Sequence, residues 1–531
     1  MTNVLIILAS FMVTPDRADV LDAIPDSAVA AVVLRDWPDT QSRVAALGDT
    51  VLAPWVPSVE MMKRRMWIAE GLQESGDAAL VMFRLESQGD PADGLVLFLP
   101  VENEDRILAL WQPQEVRGGV RPIVWQNQPA FAGFHREFVV ISPSAANVQR
   151  VLRSSRSLVD RLGDNMLNRM ARADANLWLD MERLGPRGRD LFFLTWLSAA
   201  GESVRNAAQA AESILLGAKV TPKGIRVDGY VEQNLLNEAF WPTIRDDIGF
   251  SLLDGDSCVS LGWVGGQSVA PFLATSLSGQ ASTIVPAKLP DFEQTLMRLA
   301  GGVELGTLEI VSRMDGDQPA YMMGCVLRTE QDPNRLAENW RALLRFIQRG
   351  PFLDPVQNAL ATSLKLLRDH ETVEGVAVDH IIADVRNTTS ADAQKLERLL
   401  VGEGLRIRVA RMQQKLIVVV GGETEDLARI IQKLREKEAY GSTPAAAGTR
   451  AARRSFDAQI VPARFSRFLT RFLADAAQTG DSLPAEPTVG QDAQNTAIHV
   501  KARPHFNGLS FSVDIPVGTL QVPKTQKPDK E

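Results

Sequence analysis

The sequence predicts an α+β protein built as two tandem, internally duplicated units, each a mostly antiparallel or mixed sheet with helices packed on it. Three observations carry this. The chain has 531 residues, too many for one ordinary core, because domains hold roughly 100–200 residues. Its alternating, strand-like segments come mostly in pairs rather than in regular βαβ order, which argues against a doubly wound parallel sheet. The chain also matches itself at a constant offset.

The self-similarity runs in order along the chain. "PDSAVAAVVL" from Pro25 reads like "GDSCVSLGWV" from Gly255, and "GDAALVMFRL" from Gly76 like "GTLEIVSRMD" from Gly306; Ser27 to Ser257 and Gly76 to Gly306 are the same separation. "GLVLFLPVENEDRILALW" from Gly94 is echoed by "GCVLRTEQDPNRLAENW" from Gly324, each an alternating strand, an acidic turn and a helix that reaches a tryptophan, Trp111 or Trp340. "FVVISPSAANVQRVLR" from Phe138 returns as "LIVVVGGETEDLARIIQKLR" from Leu416, and "FLTWLSAA" from Phe193 as "FLTRFLADAA" from Phe468. "KVTPKGIRVDGYV" from Lys219 and "KARPHFNGLSFSVDI" from Lys501 both read as hairpins turning on Pro and Gly.

One unit is therefore expected over 19–237 and a second over 250–523, with helices on one side of each sheet. The second unit has a helical insert near 390–404 and loops near 438–454 and 475–496, rich in Ala, Gly, Pro, Ser and Thr. The tail over 524–531 is too polar to pack. A long helix is expected from Asp190 to Leu216, with an apolar N-terminal half.

Composition narrows the function. A net charge of −8 and pI near 5.4 argue against a nucleic-acid partner, which needs a concentrated basic face. The two cysteines are far from any CxxC spacing, and the five histidines make no His-x3-His or His-Glu-x-x-His pattern, so no metal or cofactor is expected. There is no GxGxxG, GxxxxGK[ST] or GxSxG. The apolar run Val4–Val13, within residues 1–18, suits the core of an export signal and is too short to span a bilayer. No Lys or Arg precedes it, and Asp16-Arg17-Ala18 is a poor cleavage site. No other apolar stretch has the length of a transmembrane anchor.

The local acid–base candidates are Asp369, His370 and Glu371 in "RDHET" and Asp379 and His380 in "VDHII"; the first group reads as a solvated helix end or turn, the second as part of a β-branched strand. Cys258 and Cys325 lie on strand-like segments of one unit, and would pair only if those strands are neighbours; two buried thiols is the alternative. Met62, Met66 and Trp67, beside Lys63-Arg64-Arg65, with Phe192 and Trp196, form apolar helical faces suited to core packing, to a partner or to peripheral membrane contact. The turn "VVVGGETEDL" has the shape of an anion loop, but Glu423, Glu425 and Asp426 would repel a phosphate.

"AVAAVVLRDW", "EFVVISPSAANVQRVL" and "KGIRVDGYVE" together resemble a broad family of uncharacterised bacterial exported proteins with duplicated α+β units. The resemblance implies a periplasmic or otherwise extracytoplasmic location and supplies no catalytic residues. The expected function is a non-enzymatic binding protein that uses a groove between or on its units to hold a partner protein, an envelope component or an apolar ligand. A hydrolase built from dispersed carboxylates and His370 or His380 is the alternative.

Overall fold

A computed structural model describes residues 19–50, 70–73, 75–83, 94–111, 116–125, 128–184, 211–232, 252–253, 255–264, 298, 302–315, 318–329, 332–349, 364–383, 406–441, 456–465, 467, 496–505 and 508–520. The chain is mixed α+β and divides into two compact units; the first holds the described residues from 19 to 232 and the second those from 252 to 520. The expected signal segment, the 390–404 insert, the tail, and Met62, Met66, Trp67, Phe192 and Trp196 lie outside the described residues.

The first unit contains α1 (Val20–Ala23), β1 (Ala28–Leu34), α2 (Trp37–Thr50), β2 (Ala78–Phe83), β3 (Leu95–Pro100), α3 (Glu104–Leu110), β4 (Arg121–Trp125), β5 (Gln128–His135), β6 (Phe138–Ser142), α4 (Ala145–Leu152), α5 (Asp164–Met170), β7 (Ala175–Asp180), β8 (Ser213–Thr221) and β9 (Gly224–Glu232). Its strands pair antiparallel in the order β4-β5-β6-β3-β2-β1-β7-β8-β9. The second unit contains β10 (Asp256–Val264), β11 (Leu305–Asp315), β12 (Gln318–Arg328), α6 (Pro333–Arg349), β13 (Leu364–Val373), β14 (Val376–Ala383), β15 (Arg406–Met412), β16 (Lys415–Val420), α7 (Thr424–Gly441), β17 (Phe456–Ile460), β18 (Ile498–His505), β19 (Gly508–Pro516) and α8 (Val517–Leu520). Their order is β13-β14-β15-β16-β12-β11-β10-β17-β18-β19, again antiparallel throughout. The two orders coincide strand for strand, with β13 additional in the second.

Helices cover both faces of each sheet, which corrects the expectation of helices on one side. β6 shows why. All five of its residues are buried. Phe138 and Val140 pack with Val151 of α4 and with Met166 and Met170 of α5, while Val139 and Ile141 pack with Ile107 of α3 and Trp111 on the opposite face. In β16, Ile417 and Val419 meet Leu427, Ile430 and Ile431 of α7, and Leu416 and Val418 meet Leu336 and Ala337 of α6. An unbroken apolar run such as "FVVI" or "LIVVV" is the sequence of a strand covered twice. Fully burying Phe83, Phe98 and Phe138 contributes about 1.5–3 kcal/mol each.

Other expectations change with the described geometry. Ser213–Leu216 belong to β8, paired with β7 and β9, not to the end of a long helix. Residues 438–441 continue α7 rather than starting a loop. Among the described residues, no helix is long and apolar enough to cross a membrane.

Candidate functional site

Strands β13 and β14 carry all the acid–base candidates, so "RDHET" is strand rather than helix end. The register slips between Leu367 and Glu371, and Asp369 adopts a positive φ of 44°. The bulge and the alternation of β14 divide the candidates between two faces.

On the α6 face, Asp379 is 2% exposed and is held by Arg341, whose Nε and Nη2 lie 3.0 and 2.5 Å from its Oδ2. Its Oδ1 accepts the Asp369 backbone N–H at 3.0 Å, and Arg411 pairs with the Asp369 carboxylate. These two carboxylates are committed to arginines.

On the α7 face, His380 is 1% exposed. Its Nε2 lies 2.7 Å from Glu371 Oε1, in a close contact without the alignment of an N–H···O bond, and its ring meets His370 edge-on at 4.8 Å. Burial lowers the His380 pKa; Glu371 opposes that shift, while the Arg408 and His370 charges add to it. Arg408, also 1% exposed, donates to Gly422 O at 2.9 Å, and the Thr424 hydroxyl donates to the other Glu371 oxygen at 3.3 Å. A neutral imidazole beside a carboxylate could relay a proton, yet His380 is sealed from any substrate by the sheet and α7. Among the described residues, no group of three His, Cys, Asp or Glu is arranged to hold a metal ion.

The two repeated turns are structural corners. Glu423 N–H is bonded to Asp426 Oδ2 at 2.9 Å, and Gly421 N–H to Arg406 O at 3.0 Å. In the first unit, Ser144 N–H goes to Ser142 Oγ at 3.1 Å. At α7 these bonds turn corner donors to the protein's own oxygens, whereas Ser144 caps α4 without a side-chain hydrogen bond.

Cys258 and Cys325 are free thiols. Their strands, β10 and β12, are separated by β11, which corrects the idea of a disulfide between neighbouring strands. Burial raises both thiol pKa values.

A cavity of about 240 Å³ opens on the first unit's sheet, at a place the sequence candidates did not include. The register sets side by side Asp180, Ser213 and Glu232 in one row and Trp178, Leu215 and Tyr230 in the next. Residues two apart on a strand share a face, so Asp180 stands with Trp178 and Glu232 with Tyr230. Arg161, ahead of α5, closes one wall: it donates to Asp26 O and Ala28 O at 3.0 and 2.9 Å, pairs with Asp180, and lies 5.1 Å from the Trp178 ring centre. Ser213 Oγ donates to Glu232 Oε2 at 2.8 Å. Glu182 and Glu212 complete the acidic rim, and Leu162 and Met166 the apolar wall. Burial, and then the Glu232 charge, raise the Tyr230 pKa. The legible signal was aromatic-x-acid in two strands, "WLD" over 178–180 and "YVE" over 230–232.

No family model and no curated protein matches the sequence. Among solved structures, crystal form III of TP0453 aligns with 41% of this chain and 80% of its own, at 7% identity and a TM-score of 0.26; crystal form I aligns with 42% and 81%, at 8% and 0.25. A likeness at that level transfers neither fold nor function.

Proposed function

We propose that this chain is an exported, non-enzymatic binding protein of two units related by internal duplication, and that it holds its partner or ligand at the cavity on the first unit's sheet. The observation that carries the reading is the cavity's construction: charged and polar groups converge on it beside a wall made by Leu162, Met166, Trp178 and Tyr230. The acid–base candidates support it from the other side, since Asp369 and Asp379 are tied to arginines and His380 is sealed in the core.

Duplication is supported by the shared strand order and by a similar arginine contact, displaced by one residue between the units. Arg183, just after β7, donates to Asp26 O before β1 at 3.2 Å; Arg464, just after β17, donates to Ser257 O in β10 at 3.1 Å. Export is supported by the Val4–Val13 run and the family resemblance.

Gly163 gives a clean test. It lines the cavity at an ordinary φ of −70°, and a Cβ there would meet nothing within 4 Å. Gly163→Phe should fill the cavity and leave the fold intact. Capture from an envelope extract by the tagged full chain, lost with Gly163→Phe, supports the reading. Identical capture by both proteins, or a tagged chain confined to the cytoplasm on fractionation, contradicts it.

A further inference from the structure

Resting on that binding reading, we infer that the cavity receives an organic cation: a guanidinium or amine carried on a short apolar stem. The charge of the lining decides the class. Among the described lining residues Arg161 is the cation that stands against Asp180, Glu182, Glu212 and Glu232; Arg183, outside the lining, also lies 3.8 Å from Asp180, which leaves the three glutamates as the excess charge. Arg161 is spent on two backbone carbonyls and on Asp180, so it neutralises one carboxylate and offers little to a ligand. Glu232 keeps an oxygen beyond its Ser213 bond, and the half-buried Glu212 carboxylate has neither hydrogen bond nor ion pair among the described residues.

Carboxylates gathered around a cavity repel one another and any anion, and each gains from a cation placed among them. The protein already satisfies its own rings in this manner, with Arg161 over Trp178 and the Arg169 guanidinium 4.4 Å from the Tyr230 centre. The stem would lie along Leu162, Met166 and the remaining edges of Trp178 and Tyr230. A volume of about 240 Å³ is smaller than the roughly 300–1,000 Å³ of pockets that enclose drug-sized ligands. It suits one such group, either free in solution or borne on a peptide.

Calorimetric titration of the full chain tests this with n-butylguanidinium, its neutral isostere n-butylurea, the anion pentanoate and the peptide Ac-Ala-Arg-Ala-NH2. Butylguanidinium, the peptide or both should bind with a Kd below about 1 mM. Butylurea should bind at least tenfold more weakly, and pentanoate not at all. Gly163→Phe should abolish binding, and Glu212→Gln should weaken it about tenfold while leaving the thermal melt unchanged. Binding by free butylguanidinium identifies a small-molecule source; binding by the peptide alone identifies a protein-borne arginine. Butylurea binding as well as butylguanidinium, and lost with Gly163→Phe, overturns the cation inference and leaves the binding reading standing. No binding by any probe also overturns the inference; the reading itself falls by its own tests, envelope capture indifferent to Gly163→Phe or confinement to the cytoplasm.

Discussion

Arg341 reaches from α6 to clamp Asp379 of β14, with Nη2 and Nε at 2.5 and 3.0 Å from one carboxylate oxygen and both side chains almost closed to solvent, at 7% and 2%. The pair ties the helix to the strand that also carries His380 on its other face. Removing one partner of a buried pair strands the other charge, at a cost of roughly 3–5 kcal/mol. Asp379→Ala and Arg341→Ala should each lower the unfolding free energy of the second unit, read from urea melts, by that order. The double variant Arg341→Met/Asp379→Leu should lose less than the two single losses combined, because no orphan charge remains. Additive losses would contradict the pair's isolation from water.

The folded pKa of His380 is below its unfolded value, with burial as the main cause. Above the unfolded pKa, about 6.5, the imidazole is neutral in both states and contributes no pH dependence. As pH falls below that value the unfolded chain takes up a proton that the folded core resists, so stability declines towards the lower folded pKa. Melting temperatures from pH 7.5 to 5 should fall more steeply for the wild type than for His380→Gln. Parallel profiles would refute the buried neutral imidazole.

Gly422, in the turn before α7, has φ +70°, and a Cβ there would collide with Met322 Sδ. Gly422→Ala should cost about 1–3 kcal/mol through left-handed strain and that collision. Gly163→Ala, with open space around it, should stay within about 0.5 kcal/mol of the wild type. Urea melts of the two variants make the comparison, and equal midpoints would contradict the turn geometry.

The thiols of Cys258 and Cys325 are unpaired, and burial holds them protonated. A disulfide-exchange reagent should therefore label neither rapidly in the native protein and both in guanidinium, without prior reduction. No thiol released on unfolding would show that the two are linked.

The sequence made the architecture legible where it repeats a pattern. Alternation and hairpin turns mark β8–β9 and β18–β19, and the match between Phe138 and Leu416 marks β6–α4 and β16–α7. It was less informative about β7 and β17, the short strands that join each closing hairpin to β1 or β10, because five or six residues carry too little periodicity to stand out. The apolar runs in β6 and β16 did signal burial on both faces, a meaning that single-sided alternation obscures. The site was illegible for a different reason. Trp178, Ser213 and Tyr230 come from three strands and Arg161 from the segment before α5, and only register brings them together. His370 and His380 drew attention as isolated chemistry; His380 proved to be buried in the core, whereas His370 is exposed.

Carboxylate footprinting tests the central claim most directly, because it reads position as well as binding. The full chain is labelled with carbodiimide and glycine ethyl ester, with and without saturating n-butylguanidinium, and the modified peptides are quantified by mass spectrometry. Modification of Glu212 and Glu232 should fall at least threefold with the ligand, while exposed Glu104 on α3 stays unchanged. Unaltered labelling of Glu212 and Glu232 at saturation, or an equal fall at Glu104, would contradict an organic-cation site at this cavity.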